Sequence, residues 1–340
     1  MKIAIYKYKG FSERWVEYCE NNNISYKLVN PYDSGIVEQV NGCDAFMWHH
    51  SQDDYRDVLF AKQLIYSLEA AGVKCFPSFR TTWHFDDKVG QKYLLEAIHA
   101  PLVPSYVFYT KKEALKWAET TEFPKVFKLR GGAGATNVRL AKTKKDARRF
   151  IKRAFGKGFA QKDFWYFFID KCKRYKNGMT NFKDVMKAFA RLFVGNQFVK
   201  MRAPEKGYVY FQDFIPNNTF DLRVYVVSHR AFSIKRMVRK GDFRASGSGS
   251  LIYDKAQLDE RCVQIAFQVA NALKAQSAAL DFVFDSNNQP EIVEISYGTP
   301  IKGYDPCEGY WTEDMQWHEG PNFDICGWMV EELIKSVQNQ

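Results

Sequence analysis

The 340-residue chain has seven cysteines, at positions 19, 43, 75, 172, 262, 307 and 326, but no Cys-x-x-Cys pair. Their odd number and scatter argue against a disulfide framework and offer zinc no paired ligands. No apolar run approaches the ~18 residues a membrane span needs. Lysines interrupt the only apolar stretch of Met1 to Gly10, so the expectation is a soluble, reduced, cytoplasmic protein without a signal peptide. No Gly-x-Gly-x-x-Gly follows the first strand, and no Gly-Lys-Ser/Thr closes the glycine-rich turn near 131. Those absences exclude a dinucleotide fingerprint and a Walker A loop. Internal repeats and low-complexity tracts are missing too.

Base and aromatic rings, in contrast, are plentiful. There are 49 Lys plus Arg against 39 Asp plus Glu, a net charge of +10, and 16% of residues are Phe, Trp or Tyr. With 46% hydrophobic and 26% charged residues the composition is globular, which rules out a wholly disordered chain. The length exceeds an ordinary domain of roughly 100–200 residues, so two or three lobes are expected.

Residues 2–6, 24–29 and 43–48 read as strands that alternate with helices over about 12–20 and 54–71. This pattern predicts an open parallel α/β domain over 1–85. In such sheets ligands sit beyond the carboxyl ends of the strands, where Trp48, His49, His50 and Ser51 fall; an ordinary loop is the competing reading. A new segment starts at Asp86-Asp-Lys88 with a helix to about Ile98. Strands near 106–109, 124–129 and 137–140 follow, with helices at 111–119 and 144–154. Residues 156–206 are dense in Lys and Arg and helical in pattern, an insertion within a lobe spanning 86–206. From 207 to 340 the chain turns strand-rich, with strands at 208–214, 221–227 and 231–239. A helix over 257–274 precedes a hairpin, 279–285 and 291–295, and a helix ends the chain.

Three groups carry chemistry. Lys128 ends a strand directly before Arg130-Gly-Gly-Ala-Gly134, a turn whose backbone N–H groups could approach phosphate oxygens. Asp281 and Glu294 fall on the two strands of the hairpin, each inside an apolar run. A buried acid needs a partner, so either a hard divalent cation or a buried ion pair is expected there. The third group is Tyr210-Phe-Gln-Asp-Phe-Ile-Pro216 with Asp221, Arg223, Arg236 and Gly241-Asp-Phe-Arg-Ala-Ser246. Its strand edge suits adenine, its acid the ribose, and its arginines phosphate.

In this order the motifs resemble the ATP-grasp superfamily, in particular the branch of ribosomal-protein α-L-glutamate ligases and glutathione synthetases. The matching strings are Asp87-Lys88, Val126-Phe-Lys128, Gln212-Asp-Phe-Ile215, Asp221-Leu-Arg223, Lys235-Arg236, Gly241-Asp-Phe-Arg244, Ala279-Leu-Asp281 and Val293-Glu-Ile-Ser296. They run from about Phe85 to Gly298. The end of the chain, with Tyr310-Trp311 and Trp317-His-Glu-Gly320, also resembles ATP-grasp proteins associated with bacterial surface-polysaccharide genes.

The resemblance implies an α/β protein with α+β lobes, that is, an ATP-grasp fold behind an N-terminal open parallel α/β domain. It implies ATP and two Mg²⁺ ions, with Mn²⁺ as a substitute. Lys88 and Lys128 contact phosphates beside Gly131, Gly132 and Gly134. Gln212, Asp213, Phe214 and Ile215 read adenine, and Asp221 takes ribose. Arg244 and Ser246 reach the phosphates, and Arg236 sits at the transferring phosphoryl group. Asp281, Glu294 and Ser296 hold metal. Two positions depart from the usual pattern: Asp213 stands for Glu and Ser296 for Asn.

The implied reaction is carboxylate–amine ligation through an acylphosphate, catalysed by Arg236, Lys128 and Arg244, with small-molecule carboxylate and amine substrates. Neither a membrane span nor a nucleic-acid partner is expected, and the sequence carries no oligomer signal. Aromatic residues of the tail, among them Tyr304, Tyr310, Trp311, Trp317 and His318, suggest a uronic acid or other carboxylated sugar. Rival readings are a small-molecule kinase, a nucleotide-dependent scaffold, and a polyanion-binding protein in which residues 164–168 stack on bases. For those aromatics the expected arrangement is burial against the ATP lobe.

Overall fold

The computed structural model describes residues 1–8, 10–132, 137–161, 164–176, 178, 180–194, 201–238, 250–320 and 323–339. The first sheet is parallel, in the order β2-β1-β3-β4. It is built from β1 (Lys2–Ile5), β2 (Ser25–Leu28), β3 (Ala45–Met47) and β4 (Lys74–Phe76), with α1 (Phe11–Asn21), α2 (Ile36–Val40) and α3 (Tyr55–Ala70) between them. Alternation sorts β1: Ile3 and Ile5 enter one core with Trp15, while Ala4 enters the other with Leu64 and Leu68. Asp54 starts α3 by accepting from Arg56 N, the usual satisfaction of a free helix N–H. The expected α/β domain is therefore present, with β4 and α2 in addition to the elements read from the sequence.

The short α4 (Phe79–Thr82) leads to α5 (Lys88–Ala97) and a four-stranded antiparallel sheet. Its strands are β5 (Ser105–Phe108), β6 (Lys125–Lys128), β7 (Val138–Ala141) and β8 (Val209–Asp213), ordered β5-β8-β6-β7. Helices α6 (Lys111–Thr120) and α7 (Lys144–Ala154) cover one face. The core there gathers Phe127, Phe150, Phe159 and Phe211, each contributing about 1.5–3 kcal/mol by leaving water.

β8 lies past the insertion in sequence but between β5 and β6 in space. The middle sheet is completed by residues 209–213, past the lobe boundary expected at 206. The insertion supplies α8 (Phe164–Lys176) and α9 (Phe182–Val194), packed as a hairpin. Its neck is closed by a two-residue bridge, with Phe159 N donating to Glu205 O at 2.9 Å and Glu205 N donating back at 2.8 Å. Trp165 remains 61% exposed, so the aromatics of 164–168 are not all buried against the lobe as expected.

The large sheet runs β13-β12-β9-β10-β14-β15, with β11 (Leu251–Ile252) added on β10. It comprises β9 (Phe220–Val227), β10 (Arg230–Met237), β12 (Ser277–Phe284), β13 (Pro290–Ser296), β14 (Gly309–Thr312) and β15 (Trp317–Glu319). Helix α10 (Glu260–Leu273) packs on the face bearing Leu222, Val224, Leu280 and Phe282. The C-terminal α11 (Ile325–Gln338) wedges between the other face and the first domain, where Trp15, Phe76, Phe232 and Met329 share one core. All seven cysteines are free thiols. Among the described residues no helix is long and apolar enough to cross a membrane.

Candidate active site

Strand periodicity builds the site. On β9, Tyr225 and Val227 enter the core shared with α11, and the same face continues to Arg223 and Asp221. On β10 the series Phe232, Ile234, Arg236 does likewise, as does Ala279, Asp281 on β12. Each strand is apolar at one end and charged at the other. The register lines the charged ends up: Arg236 faces Asp221, Arg223 faces Asp281, and Asp281 faces Glu294 across β13.

Both oxygens of Asp281 are bound by guanidinium. Arg223 donates from Nε to Oδ1 at 2.5 Å and from Nη2 to Oδ2 at 2.7 Å, and Arg236 Nη2 lies 2.8 Å from Oδ2. Burial works against the charge of Asp281, but the two arginines outweigh it and hold the carboxyl below the usual range. Arg236 also donates from Nε and Nη2 to Asp221, at 2.6 and 2.7 Å. For Asp221 burial prevails, and its pKa is raised. Asp281 thus sits in a buried ion pair with both arginines.

The opposite wall comes from α5, β6 and the glycine-rich turn. Lys88 is the first residue of α5, whose N-terminus Asp87 caps by accepting from Gly90 N at 2.9 Å. Its Nζ sits 3.0 Å from Glu294 Oε1 and donates to Gly132 O at 3.0 Å, tying helix, turn and β13 together. Burial opposes the Lys88 charge, but Glu294 and Asp86 together raise its pKa. Gly132 adopts φ 115°, and a Cβ there would come 2.7 Å from Asn137 Nδ2, so only glycine fits without strain. Gly132 N donates to Asp86 Oδ1 at 2.6 Å.

Val126 and Lys128 share the inner face of β6 and meet Gln212 and Tyr210 of β8. Lys128 Nζ donates to Gln212 Oε1 at 2.5 Å, and no carboxylate lies within ion-pair distance of it among the described residues. Burial, more than Glu294 can offset, lowers its pKa to about 8. Asp213 receives Lys125 Nζ at 2.5 Å and donates its own N–H to Pro104 O. Ser296 donates its hydroxyl to Gly298 O at 2.9 Å, closing a turn.

These groups surround a cavity of about 510 Å³, the size of an ordinary small-molecule site. Of the residues singled out in the sequence, Lys88, Lys128, Gly132, Gln212, Asp213 and Phe214 line it. So do Ile215, Asp221, Arg236, Asp281, Glu294 and Ser296. Gly131 lines an adjoining cavity of about 170 Å³. Gly134, Arg244 and Ser246 lie outside the described residues.

Sequence reasoning assigned no role to Asp86 and Gln52, which line both cavities, nor to the apolar wall of Val126, Val138, Phe220 and Val293. Asp86 carried a signal, an acid two residues before Lys88; Gln52 carried none. Burial raises the pKa of Asp86 to about 6.

Trp48 is core, 1% exposed, rather than a ligand residue, and His49 packs on Phe11 at 4.1 Å between ring centroids. His50 and Ser51 do reach the smaller cavity, where burial keeps His50 neutral by pushing its pKa well below the ordinary value. The tail aromatics do not line either cavity. Trp311 and Tyr304 are buried in cores, and Tyr310 stacks on His318.

The donor set suits a hard divalent cation accompanied by phosphate, with two carboxylates facing each other on adjacent strands. Among the described residues no third His, Cys, Asp or Glu joins them to complete an all-protein metal cage.

Residues 196–307 match the family model of the RimK-like ATP-grasp domain. Among curated proteins, none matches the chain in sequence. Solved structures resemble it across nearly its whole length. A RimK domain protein ATP-grasp from Sphaerobacter thermophilus is 11% identical with a TM-score of 0.57, covering 98% of this chain and 100% of its own. D-alanine–D-alanine ligase from Bacillus anthracis is 12% identical with a TM-score of 0.55, covering 100% and 98%. The biotin carboxylase domain of Hydrogenobacter thermophilus 2-oxoglutarate carboxylase, in complex with MgADP, ADP and bicarbonate, is 13% identical with a TM-score of 0.58, covering 98% and 69%. The antiparallel middle sheet, the charged end of the large sheet and these likenesses agree: the chain has the ATP-grasp fold, and its residues 196–307 match the RimK-like ATP-grasp domain.

Proposed function

We propose that this protein is an ATP-dependent, ADP-producing carboxylate–amine ligase. The observation that carries the proposal is the charged floor of the larger cavity. Five groups from four strands and one helix, Arg236, Arg223, Asp281, Glu294 and Lys88, converge there beneath an apolar wall. Phosphoryl transfer asks mainly for positioning and charge neutralisation, and this array offers both.

In this reading adenine lies against Val126, Val138, Phe220 and Val293, beside the backbone of Gln212 to Ile215. Asp221 takes the ribose, and Lys128, Lys88 and the turn at Gly131, Gly132 and Gly134 take the phosphates. Lys128 is poised for this, because an anion beside a desolvated lysine restores its charged form. Mg²⁺, or Mn²⁺ in its place, held by Asp281, Glu294 and the Ser296 hydroxyl, supplies further neutralisation of phosphate charge when bound. Arg236 and Arg223, which flank and orient Asp281, face the transferring phosphoryl group, with Arg244 and Ser246 contributing as well. The acceptor carboxylate attacks the terminal phosphorus, ADP leaves, and an amine displaces phosphate from the acylphosphate to form the amide.

The smaller cavity is the acceptor's entry. It adjoins the nucleotide cavity through Gln52, Phe85 and Asp86. Its lining mixes cations, Lys62 and half-exposed Arg130 among them, with the carboxylates of Asp57, Asp86, Asp87 and Glu205. The tail aromatics are committed to packing, so the uronic-acid reading loses the feature that suggested it, and a small carboxylate is the acceptor class.

The test is release of ADP and inorganic phosphate from ATP with a panel of carboxylates and amines. Ligation gives amine-dependent phosphate release, lost in Glu294→Ala and Arg236→Ala. ADP formation without phosphate release would make the protein a kinase instead.

A further inference from the structure

The hairpin α8–α9 takes no part in the site. Between Phe164 and Val194 it has seven Lys and Arg against two Asp, a net of +5, half the charge of the whole chain. It also shows large apolar side chains to solvent. Trp165, Ile169 and Tyr175 of α8 are 61%, 36% and 46% exposed, and Phe182, Met186 and Phe189 of α9 are 58%, 47% and 41% exposed.

These residues form one surface. Phe168 bridges the helices, contacting Trp165 at 5.9 Å and Phe189 at 5.5 Å between centroids, and Tyr175 meets Phe182 at 5.9 Å near the turn. Val185 and Ala188 are buried, while Phe182, Met186 and Phe189 stay partly exposed along the seam with α8. Monomeric proteins seldom leave a continuous patch of this kind uncovered.

The charge decides what covers it. Lys183, Lys187 and Arg191 are exposed beside the apolar stripe, and no carboxylate pairs with them among the described residues. A second copy of the chain would bring a further +5 against the first and is disfavoured. A single-stranded nucleic acid would meet the charge but has no use for Ile169 and Met186. An anionic bilayer meets both requirements: headgroups take the lysines, and Trp165, Phe182 and Met186 enter the acyl boundary.

We propose that the α8–α9 hairpin docks the protein peripherally on anionic membrane surfaces. The neck bridge Phe159–Glu205 fixes the hairpin to the middle lobe, and Glu205 lines the smaller cavity. Docking therefore sets that entry in a defined relation to the bilayer.

The experiment is co-sedimentation of the full chain with phosphatidylglycerol-containing vesicles and with pure phosphatidylcholine vesicles, at low and high salt. The expected result is binding to the anionic vesicles that falls as salt is raised, with little binding to the neutral ones. Lys183→Glu combined with Lys187→Glu should weaken it at least about 30-fold, since each basic residue at the surface is worth about a factor of five. Trp165→Ser should weaken it separately, and brominated lipid should quench the fluorescence of the wild type more than that of Trp165→Phe. Far-UV circular dichroism and ADP release, both unchanged in these variants, keep loss of folding apart from loss of docking. Absence of binding to anionic vesicles overturns the proposal. So does binding that both substitutions leave intact, or retention on single-stranded RNA without any on vesicles.

Discussion

Arg236 Nη2 stands 2.8 Å from Asp281 Oδ2, on the oxygen that Arg223 already occupies at 2.7 Å. Two cations thus share one carboxylate at the centre of the site. The carboxylate proposed to hold metal is kept charged and oriented by groups proposed to face phosphate. Arg236→Met should lower ADP release by about 100–1,000-fold, the usual effect of deleting one electrostatic group. Arg223 still pairs with Asp281 in that variant, but Asp221 loses its bidentate partner, so a folding loss of about 3–5 kcal/mol should accompany the loss of activity. Activity within a few-fold of wild type would remove Arg236 from the reaction.

Arg223→Met tests the other of the two cations. Arg223 supplies two of the three contacts on a carboxylate only 11% exposed. Breaking such a buried pair typically costs about 3–5 kcal/mol. Urea denaturation should show that loss, with activity falling as well.

Lys128 makes nucleotide affinity depend on pH. Its folded pKa is lowered from 10.5 to about 8, so the ammonium that would meet phosphate is present below about pH 8 and lost above it. ADP affinity measured by calorimetry should decline as pH rises through 8, and Lys128→Met should be weaker and flat. Stability of the free protein moves the opposite way. Between about 8 and 10.5 the unfolded chain binds the proton that the folded chain has released, so stability rises with pH there.

The buried histidines set an acid limit. Burial lowers His49 to about 3 and His84 to about 4, and holds His50 well below its ordinary value. Each contributes stability that is present above 6.5 and lost as pH falls beneath it, because only the unfolded chain takes up the proton. Asp57 and Asp86, raised to about 6 by burial, gain their protons in the folded state and blunt the slope. The difference between wild type and His50→Gln isolates the histidine: melting temperature should drop less steeply from pH 6.5 to 5 in the variant.

Gly132→Ala tests the turn. A methyl group would sit 2.7 Å from Asn137 Nδ2 on a backbone at φ 115°. Left-handed backbone costs an L-residue about 1–2 kcal/mol before the clash is counted. Activity and melting temperature should both fall. Gly35→Ala, at φ −90° with nothing within 4 Å, should change stability by less than about 0.5 kcal/mol.

Most of the fold could be read from the sequence because periodicity survives wherever one face is buried. The helix expected over 144–154 is α7 (Lys144–Ala154), and the hairpin expected around Asp281 and Glu294 is β12 and β13. What periodicity cannot carry is strand order. β8 reads as the natural start of the last lobe, and only its pairing with β5 and β6 assigns it to the middle sheet. The site was legible where charges interrupt apolar runs, as at Lys128, Asp281 and Glu294. Val126 and Val293 look like any core valine until the cavity shows which face is empty. Trp311 and Tyr304 misled for the converse reason, since an aromatic is read the same way whether it faces a ligand or a core.

Two backbone hydrogen bonds between Phe159 and Glu205 have a consequence for how such a protein can change. They clamp together the points where the chain leaves and re-enters the middle lobe, so everything beyond them is a side loop on a finished scaffold. A hairpin mounted on such a neck can be lengthened, recharged or exchanged without disturbing β6, β8 or the groups they present. Location in the cell and chemistry can then evolve on separate stretches of one polypeptide.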